Sequence, residues 1–148
     1  IPQVKLILVG SGDLMESYKT RVEKLGIDDH VEFLGYRKDI PNLLTMADVA
    51  ASSSRQEGLP VNVMEAMATG LPLVVTDCRG NRDLVKHGEN GYVVGVDDKE
   101  SLADAVYGLY QSEELRAAFG QRNLELIKKF SLSTVGEEMA QIYSAILY

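Results

Sequence analysis

Five short strand-like runs, each followed by a stretch with helical spacing, restrict this chain to an alternating α/β architecture. The runs are Val4–Val9, Val31–Leu34, Asp48–Ser52, Pro72–Thr76 and Tyr92–Val94. The first is almost continuously apolar, which predicts a strand buried on both faces, as in parallel sheets. Leu14, Tyr18, Val22 and Leu25 then recur at helical spacing, and Gly26 ends that helix. Further helices are predicted over 39–46, 60–69 and 80–85, each between two strands. After residue 94 the pattern is helical throughout, over 102–110, 113–129 and 134–147. In the last, Val135, Met139, Ile142 and Ile146 trace one apolar stripe. The expectation is a Rossmann-like, doubly wound parallel sheet covered on both faces, with a helical C-terminus, in a single domain spanning 1–148.

Composition removes several function classes. The net charge of −7 opposes general nucleic-acid binding, which needs clustered Lys and Arg to displace counterions. An anionic ligand must therefore be held locally, by backbone amides and a few basic side chains. Cys78 is the only cysteine, so no intramolecular disulfide or thiolate cluster is possible, and a reducing, cytosolic compartment is the simpler assumption. His30 and His87 are too few for a His-rich metal site. No apolar run approaches the ~20 residues of a membrane helix, so no stable membrane insertion is expected from this segment. The start at Ile1, with neither an initiator Met nor a signal-like leader, suggests an excised piece of a longer protein.

The candidate site lies at one junction. Glu57 and Glu65 frame seven residues that include Gly58 and Pro60, between the third strand and the helix after it. Two glutamates eight apart on a surface are usually just solvated. Here, however, Glu57 falls at the carboxyl end of a strand, where α/β sheets place their ligands. Gly58 leaves the backbone open to close approach, and Pro60 suits a first helical turn. Free amides of residues 58–63 would form a positive pole for phosphate. Carboxylates beside such a pole suit the paired hydroxyls of a ribose or hexose, so the combination specifies a sugar nucleotide.

The segment Ser54-Arg-Gln-Glu57-Gly-Leu-Pro-Val-Asn-Val-Met-Glu65-Ala-Met-Ala-Thr-Gly-Leu-Pro resembles the signature of the family-four (group 1) glycosyltransferases, a Glu, seven residues, then Glu-Ala-Met-Ala. The similarity continues through Gly80-Asn-Arg-Asp-Leu-Val, Gly88-Glu-Asn-Gly91 and Phe130-Ser131. The resemblance implies the C-terminal, donor-binding domain of the GT-B architecture and retaining transfer of a hexosyl unit without a metal or other cofactor. It implies that Glu57 contacts the donor sugar, as the catalytic residue, and that Glu65 binds the ribose. Gly58, Leu59, Pro60 and Val61 would meet the sugar and diphosphate, and Gly10 and Gly12 would line the same crevice. Tyr36 and Arg37 would lie near the base. Ser54 is either a ligand contact or support for the turn.

Two departures qualify this expectation. The usual first strand of such a domain, central in the sheet, carries a Gly-Arg and a following Lys that grip the diphosphate; none of these is found here. The acceptor-binding half is not present either. The intact protein is therefore expected to be bacterial and cytoplasmic or peripheral to the inner membrane face. It would transfer sugar from a nucleoside-diphosphate donor to a sugar or lipid-linked acceptor, building polysaccharide or glycolipid. The alternatives are a non-catalytic sugar-nucleotide-binding module and an epimerase-like domain. Weaker candidates have plainer readings. Gly10-Ser-Gly12 lacks the third glycine of a dinucleotide fingerprint. Arg79, Arg82 and Lys86 fit a solvated helix face, Cys78 a buried inert position, Met64 and Met67 a buried helix face, and Asp28-Asp29 and Asp97-Asp98 turns or caps.

Overall fold

The computed structural model describes residues 3–147 and divides at residue 40 into two compact units. The first contains β1 (Leu6–Val9), α1 (Met15–Leu25), a 3-10 turn (Asp28–His30) and β2 (Val31–Gly35). The strands pair in parallel, Leu6 opposite Val31 through Leu8 opposite Phe33, and a bulge then sets Val9 against Gly35. Gly26, at φ 64°, closes α1 by donating its N–H to the Glu23 carbonyl, as its position in the sequence suggested.

The expected burial of β1 on both faces is not what forms. Leu6 is 49% exposed, and Val4, Ile7 and Val9 are exposed as well. Among the described residues β1 pairs only with β2. A two-stranded sheet with one helix has too little material to cover both faces.

The second unit runs from α2 (Ile40–Leu44, which begins at the boundary) to the C-terminus. Its parallel sheet has the order β3 (Ala50–Ser52), β4 (Leu73–Thr76), β5 (Gly91–Val94). The strands expected to share one sheet thus form two hydrogen-bonded sheets among the described residues. Every residue of β4 is buried, because it is paired on both edges and packed on both faces. Leu73 and Val75 face one core with Val63, Ala66 and Met67 of α3 (Val61–Ala68) and with Leu84 of α4 (Arg79–Leu84). Val74 faces the other, with Leu109 of α5 (Lys99–Gln111) and Phe119 of α6 (Glu113–Leu126). Sheet coverage on both faces, as expected, is realised here. Each fully buried apolar side chain of this kind contributes about 1.5–3 kcal/mol.

Helix ends differ by a few residues from those expected. Lys99 rather than Leu102 begins α5, because Asp98 is its N-cap and accepts the Ser101 N–H at 3.0 Å. Residues 127–130 leave α6 as a 3-10 turn. In α7 (Leu132–Leu147) the stripe of Val135, Met139, Ile142 and Ile146 lies on one face and is exposed. No helix of the described residues is long and apolar enough to cross a membrane.

Three buried asparagines hold the second unit together. Asn123 of α6 donates to the carbonyls of Leu71 (2.7 Å) and Asn90 (2.9 Å). Asn90 donates to Asn123 Oδ1 at 2.7 Å and to the Leu84 carbonyl at 3.1 Å. Asn81 donates to the Thr76 carbonyl at 2.9 Å. All three have no solvent exposure; the side-chain polar atoms of Asn90 and Asn123 are paired, whereas Asn81 Oδ1 has no hydrogen-bond partner among the described residues.

Candidate functional site

The site in the second unit is built where β3 ends. Ser52 closes the strand, residues 53–59 turn, and α3 starts at Val61. Pro60 does not occupy the first helical turn, as the sequence suggested. It stands one residue earlier as N-cap, in extended conformation with ψ 106°, and its carbonyl accepts the Met64 N–H at 3.1 Å. The amides of Val61, Asn62 and Val63 have no carbonyl one turn back, so they form the positive end of the helix. Gly58, Leu59 and Val61 are exposed, Pro60 is buried, and Glu57 and Glu65 are both half-buried. Open space surrounds the position a Cβ on Gly58 would take, so the backbone of the turn is accessible.

Glu57 is anchored. Ser54 Oγ donates to its Oε1 at 2.7 Å, and the Gly80 N–H donates to its carbonyl at 3.3 Å. Gly80 is held tightly against the turn, since a Cβ there would sit 2.3 Å from the Gly58 carbonyl oxygen. The Thr76 hydroxyl, buried at the end of β4, donates to the Ser54 carbonyl and receives Asn81 Nδ2 at 3.4 Å. Of these supports only Ser54 was a candidate from sequence. Thr76 falls at a strand end, and Gly80 and Asn81 fall in the Gly80-Asn-Arg-Asp-Leu-Val segment that resembles the family, which carries no role for either.

Two basic residues near these strand ends form ion pairs. Arg55 pairs with Asp97 at 2.8 Å, and Arg82 with Asp77 at 2.7 Å. Cys78 is buried, Met67 fully so, and Arg79 and Lys86 are exposed, as expected from sequence. Among the described residues no three His, Cys, Asp or Glu side chains converge as a metal site.

In the first unit, Gly10 follows β1 and Tyr36 and Arg37 follow β2, so both groups sit at the carboxyl end of that parallel pair. The Gly10 N–H donates to the Gly35 carbonyl at 2.8 Å, which ties the two turns together. Both glycines adopt positive φ, 133° and 63°, which a side chain would oppose. The Gly12 carbonyl accepts from Met15 at the start of α1. Tyr36 is 73% exposed. Arg37 forks onto Asp39 through two hydrogen bonds, 2.8 and 2.6 Å. That bidentate bonding raises the guanidinium pKa and lowers that of the Asp39 carboxyl.

The family model described as "Glycosyl transferases group 1" matches residues 1–125. EpsD of Bacillus subtilis (strain 168), whose name calls it a glycosyltransferase, is 40% identical over 99% of this chain and 39% of its own length. The N-acetyl-alpha-D-glucosaminyl L-malate synthase of Bacillus anthracis is 33% identical over 97% of this chain and 38% of its own length. HepE of Anabaena, solved in complex with UDP, superposes with a TM-score of 0.94 at 28% identity, covering 98% of this chain and 42% of that one. The same protein has been solved with UDP-glucose, and there the TM-score is 0.89. The chain thus spans about two fifths of the length of these relatives.

Proposed function

The chain belongs to the group 1 glycosyltransferases, and we propose that it is the donor-binding part of a retaining hexosyltransferase. A parallel α/β fold, the shared family and a close structural relative bound to UDP-glucose support a nucleoside-diphosphate-sugar as donor. The observation that carries the reading is the junction after β3. One carboxylate, Glu57, is fixed in the turn by Ser54, and a second, Glu65, lies on the helix whose N-terminal amides open beside that turn.

In this reading the amides at the start of α3 face the diphosphate. Glu65 accepts from the ribose hydroxyls and Glu57 from the hydroxyls of the transferred sugar. Glu57 also stabilises positive charge that develops at the anomeric carbon as the leaving diphosphate departs. Gly58, Leu59, Pro60 and Val61 shape the path between the two carboxylates. The acceptor, a sugar or lipid-linked sugar of polysaccharide or glycolipid synthesis, binds the part of the protein that the relatives have beyond this chain. We place the intact enzyme in the cytoplasm, peripheral to the membrane.

Calorimetry of the intact protein with UDP, GDP and ADP tests this. Binding of one of them, weakened roughly 10- to 100-fold in Glu65→Ala, is expected. Absence of binding to all three would leave a family member that has lost donor recognition.

A further inference from the structure

Ser54 does not present its hydroxyl outward. It spends its proton on Glu57 Oε1 at 2.7 Å, and its own carbonyl is the acceptor for Thr76 Oγ1. Ser52 Oγ lies 3.3 Å from Ser54 Oγ. Thr76 in turn is fixed from behind by Asn81, whose Nδ2 reaches both the carbonyl and the hydroxyl of Thr76. Thr76 and Asn81 are buried, and Gly80 braces the other end of the turn through its amide. The Glu57 carboxylate is therefore aimed by a chain of contacts that begins in the rigid, fully buried strand β4.

Resting on the donor-site reading, we propose that Ser54 is a positioning residue for the sugar-contacting carboxylate rather than a ligand contact, and that Thr76 is the fixed point from which it acts. A carboxylate with several rotamers loses entropy on meeting a hydroxyl. One oxygen tied down by Ser54 leaves the other oriented before the sugar arrives. The effect belongs to the sugar half of the donor, since the side-chain hydrogen bonds of Ser54 among the described residues go to Glu57 and Ser52, not to Glu65 or the helix amides that serve the nucleotide half.

The test compares sugar-bearing and sugar-free ligands on the intact protein: UDP-glucose, GDP-mannose and ADP-glucose against UDP, GDP and ADP. Ser54→Ala is expected to weaken the sugar nucleotide relative to its own nucleotide by about tenfold, the scale of one charge-assisted hydrogen bond. Nucleotide affinity itself should stay at the wild-type value, and Ser54→Thr, which keeps the hydroxyl, should restore the ratio. Thr76→Val should follow Ser54→Ala, and Thr76→Ser should follow wild type. Thermal melting of each variant separates loss of fold from loss of aim. A Ser54→Ala protein that keeps the wild-type ratio, or one that weakens nucleotide and sugar nucleotide alike, overturns the proposal while leaving the donor site standing. A wild-type protein that binds none of the six ligands overturns both.

Discussion

Asn90 and Asn123 lie 33 residues apart in sequence, yet their side chains share a 2.7 Å hydrogen bond in a region without solvent exposure. Because Asn123 also serves the Leu71 and Asn90 carbonyls, its removal orphans several buried groups at once. Asn123→Ala should cost about 3 kcal/mol, as each orphaned polar group costs on the order of 1–3 kcal/mol. Asn123→Asp should be worse than Ala, since it keeps the shape, loses both donors and buries a charge. Chemical denaturation of the two variants against wild type checks the order.

Two helical glycines should respond in opposite ways to the same change. A Cβ on Gly120 would meet the Gly70 carbonyl oxygen at 2.1 Å, whereas one on Gly108 meets nothing within 4 Å. Gly108→Ala should stabilise by up to about 1 kcal/mol, the difference in helix propensity. Gly120→Ala should destabilise by about 1–3 kcal/mol, because overpacking outweighs that gain. Melting temperatures of the pair provide the measurement.

Glu57 and Glu65 should fail differently. Glu65→Ala is expected to weaken nucleotide and sugar nucleotide together by roughly 10- to 100-fold, the value of a hydrogen bond to a charged group. Glu57→Gln should leave nucleotide affinity unchanged and reduce transfer. Direct binding assays with and without the sugar, alongside turnover, distinguish the two. The 148-residue chain alone should bind nucleotide more weakly than the intact protein and transfer no sugar, which a product assay on the purified chain decides.

Asp98 couples stability to pH. Its carboxylate accepts from the side chain and then the amide of Ser101, and these bonds lower its pKa. A depressed folded-state pKa stabilises the fold above the unfolded value of about 3.9, and the contribution disappears as pH falls through the folded value. Asp98→Ala should therefore lower the melting temperature at pH 7, and the gap from wild type should close as the pH drops below about 4. A gap that does not narrow in acid would place the effect in packing rather than in charge.

Much of this structure was legible from residue pattern. All five strands form where apolar runs stood, and the turn with Glu57 and Glu65 lies between β3 and α3 as spacing required. What pattern alone missed has common causes. An apolar run says which residues a strand can bury, not whether neighbours are present to bury them, so β1 read as interior and is exposed. Nothing in the pattern marks Asn81, Asn90 and Asn123 as interior, because asparagine is mostly exposed and only long-range geometry provides their partners. Gly80 matters through one close approach that no local rule predicts.

Strand β4 separates two cores, with Leu73 and Val75 on one side and Val74 on the other, and Thr76 follows in the same alternation. A slip of one residue would exchange the two sets of side chains and turn the Thr76 hydroxyl away from Ser54. The pleat that sorts valines between two oily layers is thus the same ruler that sets the direction of a carboxylate. Selection for a well-sorted core holds that direction in place without acting on it.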